Sequence, residues 1–207
     1  MKLYTSPGAC SMADHIVLEW IGQPYTAQIV SREERATPQF RKLNPAGAVP
    51  VFEDHDWVLT QNTAILNYLA DTFPEAKLGG DDTPKGRAEV NRWLGFLNAD
   101  MHPAFKPMFG STAYLGDEAA IERTKDAARG QLRSLFERVD AQLGKHDWIA
   151  GDQKSIADPY LFVMLRWAKG VKVDLSGLAN LARFEQRTRA DAGVQKVLKD
   201  EGIDQAA

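Results

Sequence analysis

Gly79-Gly80-Asp81-Asp82-Thr83-Pro84 is a run of backbone breakers that divides the chain into two parts of different rhythm. On its N-terminal side the elements are short. Lys2 to Thr5 reads as a strand, Ser11 to Ile21 as a helix and Tyr25 to Val30 as a second strand. A helical turn near Pro38 to Leu43 follows, then strands at Val51 to Glu53 and Trp57 to Thr60 around the turn Asp54-His55-Asp56. Ile65, Tyr68 and Leu69 share one helical stripe, which Pro74 ends. This order predicts an α/β domain over residues 1–78, with helices covering a small mixed sheet.

Beyond the 79–84 linker, residues 85–207 read as an all-α bundle; only Val171 to Asp174 hints at a strand. Val90, Trp93, Leu94, Leu97, Met101, Phe105 and Met108 recur at three- and four-residue steps, as do Ala128, Leu132, Leu135, Phe136, Val139 and Leu143. Both stretches predict long amphipathic helices. Ile156 to Trp167 is apolar on nearly every face, as a central helix must be, and Ser155-Ile-Ala-Asp158 resembles a capping box with Ser155 as the cap. Leu178 to Arg189 and Val194 to Glu201 supply two shorter helices.

Composition narrows the function classes. With 25 Lys+Arg against 28 Asp+Glu, the net charge of −3 gives no positive field for a nucleic-acid partner. A mean hydropathy of −0.36 and the lack of any long apolar run argue against a membrane span. Cys10 is the only cysteine, so no intrachain disulfide is possible, and the opening Met-Lys-Leu-Tyr-Thr-Ser-Pro-Gly breaks before a signal-peptide core. A cytoplasmic protein is expected. No His/Cys/carboxylate set has metal-ligand spacing, and no phosphate-binding Gly loop or nucleophile elbow occurs.

Three places offer chemistry. Cys10 follows Ser6-Pro-Gly-Ala at a strand-to-helix turn, where helix N–H groups favour a thiolate; the alternative is a small buried side chain. Lowering a thiol pKa raises its ionised fraction but reduces its nucleophilicity, so large rate effects must come from holding two reactants together. Asn44-Pro-Ala-Gly-Ala-Val49-Pro50-Val51 offers such a surface: if Val49-Pro50 is cis, the Val49 backbone faces a peptide-like ligand. Gln61-Asn62 opens a helix beside free N–H groups suited to a carboxylate, or else Thr60 or Asn62 is an ordinary cap. By spacing alone His102 reads either as a packed side chain or as an acid, base or anion binder.

Ser6-Pro-Gly-Ala-Cys10-Ser, Asn44-Pro-x-Gly-x-Val49-Pro50, Gln61-Asn62, His102-x-x-Phe105-x-Pro107-Met-Phe109, Ser155-Ile-Ala-Asp158 and Leu165-Arg-Trp167 occur in order over nearly the whole chain. In that order they resemble a bacterial glutathione transferase of the cysteine-containing beta class. The resemblance implies a thioredoxin-like N-terminal domain, an all-helical C-terminal domain and a homodimer with a glutathione site on each subunit. Glutathione is then the co-substrate, a small apolar electrophile its acceptor, and no metal is needed. Carried over by position, Cys10 lies beside the glutathione sulfur and Val49, before cis Pro50, pairs with the cysteinyl backbone. Gln61 and Asn62 hold the γ-glutamyl end, with Asp100 of the partner subunit at its amine, while His102 and Arg35 face the glycyl end or the sulfur. Phe105, Met108, Phe109 and Trp167 form the apolar wall for the electrophile.

The chain departs from that pattern at Ala46 and Ala48, where lysine and glutamine are common, at Asn62 in place of serine, and at Pro103 after His102. Gly95 stands where an asparagine often touches the ligand, with Asn98 close by. Each change removes or alters a polar contact to glutathione. Three readings follow: a conjugating transferase, a thiol-disulfide exchange or peroxide-reducing enzyme with Cys10 as nucleophile, and a non-catalytic ligand-binding member of the fold.

Overall fold

The computed structural model describes residues 1–203. Four strands precede the Gly79–Pro84 break and form one sheet in the order β2-β1-β3-β4. β1 (Lys2–Thr5) runs parallel to β2 (Thr26–Ile29) and antiparallel to β3 (Val51–Asp54), which pairs with β4 (Trp57–Thr60). The register sets Leu3 opposite Phe52 and Tyr4 opposite Val51, so period-two alternation sends the two pairs to opposite faces. Leu3 and Phe52 join the main core with α1 (Met12–Ile21) and α4 (Asn62–Thr72); Tyr4 and Val51 pack with Val30 and Phe40 beneath α3 (Pro38–Leu43). A further helix, α2 (Arg32–Ala36), is absent from the sequence reading although its capping box is local: the Ser31 hydroxyl accepts from Glu34 N–H, and the Glu34 carboxylate accepts from Ser31 N–H at 2.6 Å.

Past the break the described chain is helical apart from an isolated pairing of Trp148 with Gly151, and Val171 to Asp174 lies outside any sheet. α5 (Pro84–Gly95) does not continue as the regular helix expected through Met108. It widens into a π-helical segment at Phe96–Met101, then passes through short α6 (His102–Ala104) into a 3-10 turn at Lys106–Phe109. Pro103 is the local cause, since it has no N–H to return to the preceding turn. α7 (Glu118–Leu143), α8 (Ala157–Gly170), α9 (Ala179–Ala190) and α10 (Ala192–Asp200) complete the bundle; residues 204–207 of the expected helical part lie outside the described residues. Among the described residues, no helix is long and apolar enough to cross a membrane.

One hydrophobic core crosses the break, joining Leu3, Ile16 and Leu66 to Phe136, Phe162 and Leu198. Polar contacts clamp the β1–α1 turn from the helical side. The Glu201 carboxylate, just after α10, accepts from Gly8 N–H at 3.0 Å and the Thr5 hydroxyl at 3.1 Å, and lies 3.0 Å from His15 Nδ1. Trp167 Nε1–H donates to the Gly8 carbonyl at 2.7 Å. The turn that carries Cys10 is therefore held by residues about 160 to 190 positions away in sequence, and its geometry depends on the whole fold.

Candidate active site

A cleft of about 210 Å³ opens where that turn meets the helical half. Its sheet-side wall comprises Cys10, Asn44, Ala46, Ala48, Val49, Pro50, Gln61 and Asn62; Asn98, His102 and Tyr160 form the facing wall. The Val49-Pro50 bond is cis. Asn44 shapes the preceding turn, donating through Nδ2 to the Ala48 carbonyl at 2.7 Å and accepting the Ala46 N–H at 3.1 Å. Gly47 fits there because φ is +61° and an added Cβ would meet the Arg35 carbonyl at 3.0 Å.

Cys10 Sγ–H donates to the Val49 carbonyl at 3.7 Å, which joins two of the expected site residues. Of the two readings left open for Cys10, burial works against the thiolate. Burial pushes the Cys10 thiol up to about 12, the Asp14 carboxyl adds to that rise, and the backbone N–H groups of the turn and Arg35 oppose it too weakly. A helix start stabilises charge by a few tenths to about 1 kcal/mol, less than the desolvation of a sulfur anion between packed walls. Cys10 is a hydrogen-bond donor in the resting protein.

At the start of α4, Gln61 has φ +78° and makes no side-chain cap, so the first-turn N–H groups stay available toward the cleft. The Thr60 or Asn62 cap considered from sequence does not form. Asn62 is only 6% exposed, and its amide satisfies its surroundings with the nitrogen turned inward, donating to the Asp14 carboxyl at 2.8 Å and the Cys10 carbonyl at 3.2 Å. Its side chain braces the cleft floor, and what this helix start offers a ligand is chiefly backbone.

On the opposite wall, His102 Nδ1 lies 2.6 Å from the Tyr160 hydroxyl, which donates to Asn98 Oδ1 at 3.3 Å. With its proton on Asn98, Tyr160 accepts from His102 Nδ1–H, and Nε2 is left as the imidazole's acceptor. Burial, with Lys106 adding to it, lowers the His102 pKa from its ordinary value, so the ring is neutral at neutral pH. Burial likewise raises Tyr160, which keeps its proton. Sequence reasoning missed Tyr160 by treating its helix as wholly apolar; a tyrosine hydroxyl in a central helix requires a buried partner, and that requirement was the available signal.

The remaining expected residues divide. Arg35 is half-buried and does not line the cleft, though its charge favours a Cys10 thiolate. Asp100 is exposed and away from the cleft of its own chain. Trp167 bridges His102 at 4.8 Å and Phe109 at 5.3 Å, so an aromatic surface continues outward from the polar cleft to Phe109, which is 56% exposed. Met108 is half-buried beside it. Phe105 departs from the expected wall: it is fully buried and backs Trp167 and Phe109 from behind.

A thioredoxin-like sheet with its cysteine at the first helix, facing a helical bundle across a cleft that presents a cis-proline, defines a glutathione transferase architecture. The chain belongs to the glutathione S-transferase family: residues 1–71 match the family's N-terminal domain and residues 88–191 its C-terminal domain. It is 56% identical over 203 residues to Glutathione S-transferase GST-4.5 of Xanthomonas campestris pv. campestris, covering 98% of this chain and all of the relative. It resembles the solved glutathione S-transferase from Xylella fastidiosa with a TM-score of 0.96 and 51% identity, over 98% of this chain and 99% of that one. A beta class glutathione S-transferase of Sphingomonas chungbukensis matches with a TM-score of 0.87 and 36% identity, over 99% and 100% of the two chains. The protein is a transferase of the glutathione-conjugating kind.

Proposed function

We propose that this cleft binds reduced glutathione and joins it to small apolar electrophiles, as one site of a cytoplasmic homodimer that serves detoxification. Residues 1–78 form the glutathione domain, and the helical part from residue 85 supplies the electrophile wall and the dimer contacts. The cysteinyl backbone of glutathione pairs with Val49, the γ-glutamyl end meets the first turn of α4 at Gln61 and Asn62, and Asp100 of the partner subunit reaches its amine. Asn98 and His102 face the glutathione from the helical wall, while Arg35 adds positive potential. The electrophile lies against Trp167, Phe109 and Met108, backed by Phe105.

The observation that carries this reading is the Cys10 thiol held at the Val49 carbonyl, across the cleft from His102, with burial raising the one pKa and lowering the other. His102 Nε2 takes the proton of the glutathione thiol; Cys10 Sγ–H then donates to the resulting thiolate, which attacks the electrophile. The imidazolium returns its proton to solvent or to the leaving group. Cys10→Ala should keep conjugation of an apolar electrophile within about tenfold of wild type, because one donor is lost and the geometry stays. Disulfide exchange with a glutathione mixed disulfide should disappear. Loss of both activities together would overturn conjugation in favour of Cys10 as nucleophile.

A further inference from the structure

Asp14 lies beneath the cleft against Asn62 and has no part in the chemistry above. It is wholly buried on α1, one turn after Cys10, and forms no salt bridge among the described residues. Its Oδ1 has no hydrogen-bond partner, and its Oδ2 accepts from the Asn62 amide at 2.8 Å. Burial raises its pKa well above the ordinary carboxylate range. An acid left so poorly satisfied in a core costs stability, and alanine or leucine at the same helix position would remove that cost.

The Asn62 amide has two possible orientations, and Asp14 and the Cys10 carbonyl together hold one. The Cys10 carbonyl can only accept, so it sets the Asn62 nitrogen inward at 3.2 Å, and the Asp14 carboxyl, accepting from the same nitrogen at 2.8 Å, holds it there. Two elements are tied by this one group: the α4 start that meets the γ-glutamyl end, and the turn that carries Cys10. We propose that Asp14 is a positioning residue of the glutathione site, acting through Asn62 to fix the Cys10 turn against the start of α4. The proposal rests on the glutathione reading of the cleft.

Because Cys10 is the only cysteine, whole-protein alkylation by iodoacetamide reports this one turn. Asp14→Ala should speed alkylation about tenfold and weaken glutathione binding about fivefold to tenfold in calorimetry, with kcat at saturating glutathione within about twofold of wild type. Asp14→Asn, whose side-chain oxygen still accepts from Asn62, should restore all three to within about twofold. Asn62→Ala should copy Asp14→Ala, and the double variant should add nothing further. Wild-type rates in Asp14→Ala, failure of Asp14→Asn to rescue, or independent effects in the double variant would each overturn the proposal. If wild type itself shows no glutathione binding, the functional reading falls, while the alkylation rates still decide whether Asp14 fixes the turn.

Discussion

The start of α8 and the ground beneath the cleft each bury a carboxyl, and they treat it in opposite ways. Asp158 accepts from Ile149 N–H at 2.9 Å, Ser155 N–H at 2.7 Å and the Ser155 hydroxyl at 2.9 Å, so both oxygens are used. Asp14 has one donor, and an oxygen with none. Its neighbours are equally unsettled: a desolvated thiol at Cys10, an uncapped α4 and a positive φ at Gln61. Polar groups that close on one another stabilise a fold, whereas groups left partly open at a cleft hold capacity for a ligand. The two regions therefore differ in which assay should register a substitution.

The largest effect belongs to Asp158→Ala. Three buried donors lose their acceptor, and at about 1 to 3 kcal/mol each, partly relieved by relaxation, the loss should reach about 3 to 5 kcal/mol in urea unfolding. Glutathione affinity, measured at a temperature where the variant is folded, should not change. A loss below about 1 kcal/mol would erase the contrast between the two regions.

Acid titration sharpens it. Burial pushes Asp158 up to about 6 despite its donors, so the native state binds this proton more tightly than the unfolded state. Its contribution is then fully present below the unfolded value near 4 and is lost as pH rises through about 6. The stability of wild type minus that of Asp158→Asn should fall by roughly 3 kcal/mol between pH 4 and 7, read from urea midpoints. Burial raises Asp14 with the same sign, so the corresponding difference for Asp14→Asn should also fall as pH rises. A rise in either difference with pH would reverse the assigned direction.

The third measurement turns to the cleft. Asp14→Ala removes a poorly satisfied acid, so its stability at neutral pH should match wild type or exceed it by up to about 1 kcal/mol. A loss like that of Asp158→Ala would make Asp14 a structural residue and end the comparison.

How far these differences could be read in advance follows from the sequence distance of each contact. Ser155-x-x-Asp158 was legible because its bonds span four residues, although the cap position of α8 falls on Ile156 rather than on the expected Ser155. The strands and the main helices are legible on the same local grounds, whereas the cis bond at Val49-Pro50 was implied only by the family resemblance. The Asp14–Asn62 pair joins positions 48 apart, so nothing near Asp14 announces its partner. Cys10 lies at the expected turn, but its charge state stayed open between two readings, because a helix start is visible in sequence and the burial supplied by Val49 and the helical wall is not. The π-helical segment was hidden for a related reason: Pro103 was in view, but the widening it causes depends on how the neighbouring turns pack.

Gln61 gives the smallest and most local test. With φ +78° and ψ 114° it occupies a conformation that costs a side chain of this size about 1 to 3 kcal/mol, and it does so at the cap position just before α4, on the wall of the cleft. Gln61→Gly relieves that strain but adds conformational freedom to the unfolded chain, so the two terms should leave a net gain of about 0.5 to 1 kcal/mol in unfolding free energy. The strained backbone fixes how the uncapped start of α4 meets the cleft at Gln61 and Asn62, and a glycine hinge there loosens it. Glutathione should therefore bind about threefold to tenfold more weakly to the more stable variant, as calorimetry would show. Higher stability with unchanged affinity would mean that the strain at Gln61 serves no ligand, and the cleft floor would then differ from the start of α8 in its satisfaction of polar groups alone.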